Sequence, residues 1–131
     1  MKVVKQLSLF LENKPGRLAA VCHALAENEI NIHAISISDA VDHAVVRVVV
    51  DNPSRALHLL GEHGVLVIER DVLLIASKNR PGHLADIAQK LGDHKINIEY
   101  AYAASLPAAP RGAIVLRVDH VKRACRVLRG Y

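Results

Sequence analysis

The heptapeptide NKPGRLA at residues 13–19 recurs as NRPGHLA at residues 79–85, and this repetition decides the fold. The tripeptide INI also occurs twice, at residues 30–32 and 96–98. Both pairs are separated by 66 positions, so the two copies keep one register from the first motif to the second. Self-similarity at a fixed spacing indicates repeated structural units. The 131 residues therefore divide into two copies of one unit.

Each copy predicts the same series of strands and helices. The runs at 4–11 and 72–77 are rich in β-branched and apolar residues, which favours strands. Apolar residues at 18, 21, 22 and 25 have the i, i+3, i+4, i+7 spacing of an amphipathic helix, and residues 84, 87, 88 and 91 repeat it. Further strands are predicted at 31–38, 44–50, 97–105 and 113–118, and the turn Asp39-Ala40-Val41-Asp42 joins the first two of these. A second helix follows in each copy, and Asp51, Asn52 and Pro53 supply cap candidates and a first-turn proline for the first of them. From Asp51, which matches Asp119, the offset between the copies is 68 rather than 66, so the second copy has a loop two residues longer, predicted at 106–112. The first copy adds a strand at 65–68.

This order, β-α-β-β-α-β, predicts an α+β protein of two tandem ferredoxin-like units, each an antiparallel sheet with its helices on one face. We place the units at residues 1–69 and 70–131. The second unit lacks its last strand, because only Gly130 and Tyr131 follow its second helix. Since an open strand edge invites association, we expect a dimer contact or a covering segment along residues 72–77.

Composition argues against several classes of function. Three Tyr, one Phe and no Trp leave almost no rings for stacking on single-stranded nucleic acid. The net charge of +4 is only mildly basic. Cys22 and Cys125 stand outside any metal-ligand spacing, and the eight His form no helical metal pair, so we expect no metal and no cofactor. No apolar run is long enough to span a bilayer, and we expect a cytoplasmic protein without catalytic residues.

The repeated loop has the chemistry of a small-ligand site. Pro15 and Gly16 open a helix whose free N–H groups and dipole suit one carboxylate. Asn13 precedes them, and its amide both donates and accepts hydrogen bonds, which suits a zwitterion. Asn31 begins the next strand, near the loop of a neighbouring unit if two units lie side by side. Plain turn chemistry explains Asn13 equally well at this stage.

The Asn-x-Pro-Gly-x-Leu loop, the amphipathic helix and the INI strand start resemble the ACT domain, a regulatory module of phosphoglycerate dehydrogenase, aspartate kinase and acetolactate synthase. The resemblance covers nearly the whole chain as two tandem ACT domains. It implies an amino-acid-binding regulatory or sensor protein that forms a homodimer, acts on an enzyme partner, and holds its ligand where two ACT units meet. The ligand-binding residues that it implies are Leu11, Asn13, Pro15, Gly16, Arg17 and Asn31 in one site, and Ser77, Asn79, Pro81, Gly82, His83 and Asn97 in the other.

The ligand side chain is predicted from a departure within this pattern. Serine-binding ACT domains carry a His two residues before the loop Asn, where this chain has Leu11 and Ser77. Leu11 favours an apolar side chain, so we expect a branched-chain amino acid rather than serine. Two alternatives stay open: a small ferredoxin-like enzyme of the acylphosphatase type that uses Arg17 and Asn13, and a module that binds nucleic acid through its sheet.

Overall fold

The computed structural model describes residues 1–39 and 42–131. The chain separates into two compact units. We call Lys5–Arg70 the first unit, and Met1–Val4 together with Asp71–Tyr131 the second unit. The strands and helices follow one another as β1 (Lys2–Glu12), α1 (Arg17–Glu27), β2 (Ile32–Asp39), β3 (His43–Val50), α2 (Pro53–Glu62), β4 (Leu66–Lys78), α3 (His83–Asp93), β5 (Ile98–Ala104), β6 (Arg111–Val118) and α4 (Val121–Val127).

The first unit has the predicted β-α-β-β-α-β order. Strand β3 lies between β2 and β1 and pairs with both in antiparallel fashion. The predicted turn from Asp39 to Asp42 contains Ala40 and Val41, which lie outside the described residues. Alternate residues of β1 and β3 face the helices, and they form the core with Val21, Leu25, Ala56 and Leu60. Burying one face of each strand against two helices gives the expected two-layer architecture.

Helix α2 begins as the sequence predicts. Pro53 occupies the first turn, where its missing N–H costs no helical hydrogen bond. The Asn52 side chain accepts a hydrogen bond from the Arg55 N–H at 3.2 Å, so Asn52 is the N-cap among the candidates considered.

The second unit repeats this arrangement with α3 and α4. Strand β6 lies between β4 and β5, again antiparallel to both. Its core is a separate cluster that includes Leu73, Ile87, Leu91, Leu116 and Leu128. The predicted longer loop is confirmed, because residues 105–110 separate β5 from β6.

One strand prediction needs correction. The strands predicted at 65–68 and 72–77 are a single strand, β4, because no Gly or Pro interrupts residues 66–78. The first residues of β1 lie along the strand edge for which the sequence predicted a dimer contact or a covering segment. Strand β1 neighbours β4, and Met1–Val4 belong to the second unit, where the Met1 amino group donates to the Tyr131 carbonyl at 2.9 Å. A segment of the same chain therefore covers part of this edge.

Helix α3 buries a different face from the predicted one. Leu84 is 45% exposed, whereas His83, Ile87 and Leu91 are buried at i, i+4 and i+8. The helix is therefore rotated so that His83, and not Leu84, is buried in the second unit.

The two tyrosines of β5 lie on the face of the strands that points away from the helices. Tyr100 is opposite Arg117 and Tyr102 is opposite Val115, while the alternate residue Ala101 is opposite the core residue Leu116. Both rings are half-buried, and neither belongs to the core cluster.

Candidate functional site

The loop between β1 and α1 is a tight turn closed by backbone hydrogen bonds. The Lys14 N–H donates to the Glu12 carbonyl at 2.9 Å, and the Arg17 N–H donates to the Lys14 carbonyl at 3.3 Å. The Ala20 N–H then donates to the Gly16 carbonyl at 3.0 Å and starts the helical pattern. Because the next N–H groups of the first turn have no intrahelical acceptor, this helix end presents donors to an anion.

The loop between β4 and α3 repeats the turn nearly bond for bond. The Arg80 N–H donates to the Lys78 carbonyl at 3.0 Å, and the His83 N–H donates to the Arg80 carbonyl at 3.4 Å. The Asp86 N–H donates to the Gly82 carbonyl at 2.9 Å. The backbone geometry of the repeated motif is therefore shared by both units.

The two glycines are needed for their backbone conformation. Gly16 has φ +84° and Gly82 has φ +87°, both in the left-handed region, and each is the N-cap of its helix without a capping side chain. A Cβ at Gly16 would meet no atom within 4 Å. Conformational freedom, not space, explains this glycine.

Charged groups surround the first loop. The Lys14 Nζ lies 3.1 Å from the Glu12 Oε2, and an Arg17 guanidinium nitrogen lies 3.7 Å from the same oxygen. The hydrogen bond and charge of Lys14, followed by the charge of Arg17, hold the pKa of Glu12 below its ordinary value. The Glu12 carboxylate therefore already lies beside the Arg17 cation, and an anionic ligand that binds Arg17 would lie close to Glu12.

The loop asparagines differ between the units. The Asn79 side-chain amide donates to the carbonyls of Ala109 at 2.6 Å and Leu106 at 3.3 Å, so it holds the long β5–β6 loop in place. The Asn13 side chain is exposed, and its backbone N–H donates to the Asp42 carbonyl at 3.3 Å. The Asn79 side-chain NH2 group is therefore occupied by hydrogen bonds within the protein.

Asn31 and Asn97 lie far from the loop of their own unit. The Asn31 N–H donates to the Asp51 carboxylate at 3.1 Å, and the Asp51 N–H returns a bond to the Asn31 carbonyl at 3.1 Å. Asn97 and Asp119 make the same reciprocal pair at 3.1 and 3.2 Å. The pair lies at the end of β3 opposite Asp42, and eight extended residues span about 25 Å. Asn31 can therefore join Asn13 at one ligand only if it comes from another ACT unit.

A cavity of about 150 Å³ opens beside the first loop, inside the first unit. It lies between α1 and the end of α2, and Leu11 lines it together with Arg17 from the predicted set. The remaining lining residues are Ala20, Val21, Ala24, Leu60, His63 and Val65. The wall is mainly aliphatic, with the two basic side chains as its polar part.

The corresponding region of the second unit contains a ring instead. The Tyr131 ring lies 5.9 Å from the His83 ring, and the Lys90 Nζ lies 5.2 Å from its centroid. His83 and Ser77 are buried, and neither ring nitrogen of His83 has a partner among the described residues. The two predicted sites are thus chemically different.

Sequence reasoning missed most of the cavity. Of its lining residues it named only Leu11 and Arg17, since it sought polar groups near the loop. The repeat itself carried the missing signal: Ala20 and Ala24 are one helical turn apart, where the second copy has Asp86 and Lys90. Small residues on the side of a helix that borders its neighbour leave space between the two helices.

Two further features concern metal ions and membranes. In residues 1–39 and 42–131, no three His, Cys, Asp or Glu side chains are grouped to hold a metal ion. None of the described helices has the length and apolar character required to cross a membrane.

These two βαββαβ-type units, each with a glycine-capped helix after its first strand, define a tandem ferredoxin-like protein. The chain belongs to the ACT domain pair family, whose family model matches residues 1–129. A comparison with curated protein sequences finds no match.

Solved structures agree with this assignment. A protein from Bacteroides thetaiotaomicron is similar at 35% identity and a TM-score of 0.90, over 97% of this chain and 87% of that one. The ligand-free regulatory subunit of aspartate kinase from Thermus thermophilus shares the fold at 21% identity and a TM-score of 0.71, over 98% and 95% of the chains. The corresponding subunit from Thermus flavus has 23% identity and a TM-score of 0.65, over 97% and 94%.

Proposed function

We propose that this chain is an amino-acid-binding regulatory protein without catalytic activity of its own. Its ligand would lie against an Asn-x-Pro-Gly loop at a helix N-terminus, where two ACT units meet, as in the family it belongs to. The observation that carries the proposal is the repeated loop, whose left-handed glycine and three backbone hydrogen bonds recur in both units. Such a helix end stabilises a carboxylate through its free N–H groups and its dipole.

The first loop is the better ligand site. Asn13 has an exposed amide beside the helix N-terminus, whereas the equivalent Asn79 amide is bonded to the β5–β6 loop. Arg17 supplies a half-exposed cation, whereas the equivalent His83 is buried beside Tyr131. We therefore assign the amino-acid site to the Asn13 loop, with a branched-chain amino acid favoured by the apolar Leu11.

The same surroundings argue against phosphate chemistry. The Glu12 carboxylate lies 3.7 Å from Arg17, and its lowered pKa keeps it negative at neutral pH. A phosphate group, which carries about two negative charges at neutral pH, would be repelled by Glu12 more strongly than the single carboxylate of an amino acid, whose ammonium group can also pair with Glu12. An acyl phosphate is therefore a poor substrate for this loop.

Exposed apolar residues on an edge strand support a homodimer. Ile35 and Ile37 lie on β2, at the edge of the first unit, and are 42% and 50% exposed. Adjacent apolar side chains beside open strand hydrogen-bonding groups favour pairing with a second copy. We also propose that the protein regulates an enzyme partner. The Thermus proteins that share its fold are named as regulatory subunits of aspartate kinase.

A thermal-shift screen of the twenty amino acids tests this function. Saturable binding raises Tm by mass action, and we expect a branched-chain amino acid to give the largest rise at millimolar concentration. Asn13→Ala should abolish the rise, because it removes the amide that matches the zwitterion. The control is Asn28→Ala, a substitution at the far end of α1. No rise with any amino acid would refute the proposal.

A further inference from the structure

The cavity of the first unit owes its existence to small residues on α1. Ala20 and Ala24 line it from one helix, and Leu60 lines it from the other. In the second copy, Asp86 and Lys90 stand at the positions of the two alanines. Two methyl side chains one turn apart therefore leave an open space between α1 and α2.

The second unit shows what fits in this space. His63, which lines the cavity, corresponds in the repeat to Tyr131, and Arg17 corresponds to His83. The Tyr131 ring packs beside His83 and under Lys90, on the core that includes Leu128. One unit thus packs a six-membered ring of its own chain where the other keeps about 150 Å³ open.

Size and polarity limit the occupant. An apolar protein cavity of about 150 Å³ is large enough for benzene, so a tail of about four to six carbon atoms matches it. The wall offers Leu11, Val21 and Val65 to such a tail. Ala20 and His63 are exposed lining residues, which shows that the cavity opens to solvent on their side.

A cation lies at this opening. Arg17 lines the cavity, and within residues 1–39 and 42–131 its half-exposed guanidinium is paired only with the Glu12 carboxylate, at 3.7 Å, longer than a charge-assisted hydrogen bond. A ligand carboxylate at the mouth would make the closer contact. His63 adds a second basic group on the same side.

We propose that the cavity of the first unit binds a small carboxylic acid with a compact apolar tail of about four to six carbon atoms. The tail lies between α1 and α2, and the carboxylate meets Arg17 at the mouth. This site shares Leu11 and Arg17 with the proposed loop site, but it goes beyond the proposed function because it lies inside one unit and needs neither Asn13 nor Asn31. Its chemistry is shared by branched-chain amino acids and by their 2-oxo acids.

Titration calorimetry with the full chain tests the proposal. The probes are L-leucine, 4-methyl-2-oxopentanoate, 3-methylbutanoate and the neutral 3-methylbutanamide. We expect saturable binding of at least one carboxylate, with the amide weaker by about fivefold or more because it lacks the charge-assisted bond to Arg17. Arg17→Met should remove this preference while leaving the apolar wall.

The matched variants are Ala20→Leu and Ala19→Leu. Both residues are exposed on α1, but only Ala20 lines the cavity, so only the first variant puts a larger side chain into it. Ala20→Leu should weaken carboxylate binding at least tenfold, and Ala19→Leu should leave it within twofold. Equal effects of the two variants, or no binding of any probe at 10 mM, would overturn the proposal.

The two proposals fail separately. Leucine binding that is lost in Asn13→Ala and kept in Ala20→Leu would refute the cavity site and support the loop site. Binding of the 2-oxo acid that is lost in Ala20→Leu, in a protein that binds no amino acid, would support the cavity site and refute the proposed function.

Discussion

Replacing the buried His83 by Leu should stabilise the protein. His83 is 7% exposed, and neither of its ring nitrogens has a hydrogen-bond partner among the described residues. A neutral imidazole has one donor and one acceptor, and each buried group without a partner costs about 1–3 kcal/mol. Leu removes both groups and continues the apolar face formed by Ile87 and Leu91, which are fully buried.

The two unpaired ring nitrogens together cost about 2–6 kcal/mol, and the lost ring contact with Tyr131 offsets about 0.5–1 kcal/mol of this, so the expected gain in the free energy of unfolding is about 1–5 kcal/mol. Urea unfolding followed by circular dichroism measures the change. For a chain of this length, each kcal/mol corresponds to roughly 3–5 °C in Tm.

The matched control is His23→Leu, on the exposed face of α1, which should change stability by less than about 0.5 kcal/mol. A loss of 1 kcal/mol or more in His83→Leu would refute the reasoning, since it would show that the imidazole makes a stabilising polar contact in solution.

Three further predictions concern the loops and the helix ends. Gly16→Ala should cost about 1–2 kcal/mol of unfolding free energy because φ is +84°, whereas Gly61→Ala, inside α2, should gain about 0.5–1 kcal/mol; urea unfolding shows whether the signs differ. Tyr131→Ala should cost about 1–2 kcal/mol and Tyr131→Phe less than about 0.5, and equal losses in thermal unfolding would contradict the ring packing. Lys14→Met should raise the pKa of Glu12 toward its ordinary value in an NMR titration, because Lys14 is the main cause of the lowering. Since a lowered carboxyl pKa stabilises the fold above the unfolded pKa and this effect is lost as pH falls through the folded value, the variant should lose less stability below pH 5; an unchanged titration would contradict this.

The element order could be predicted because it rests on local signals that both copies share. Residues with helical spacing gave α1 and α3, and the Asn52-Pro53 pair gave the start of α2. The continuity of β4 could not be predicted, since the polar run at 69–71 looks like a junction while no residue breaks the strand. The place of Met1–Val4 in the second unit is a long-range effect that no local pattern contains.

The candidate site was predictable only in its backbone. The loop motif placed Gly16 at a helix start correctly, because a left-handed residue before a helix favours glycine. The cavity depends on which side chains meet between two helices. The buried face of α3 could not be predicted, because the apolar spacing fits Leu84 or His83 as the first buried residue beside Ile87 and Leu91. His83 shows this limit, because its polarity predicts exposure while the packing of α3 buries it.

The two copies differ in a consistent way that concerns ligand number. What they share lies in the backbone: the left-handed glycine and the reciprocal pair that joins Asn31 to Asp51. What separates them lies in side chains around one helix end, where the second unit uses Asn79 to hold a loop and Tyr131 to cover His83. Both units therefore keep the same loop backbone despite different side chains. In the first unit the divergent side chains leave a cavity and an exposed Asn13 amide, where the second unit has a packed ring and a bonded Asn79, so we expect a ligand in the first unit and none in the second.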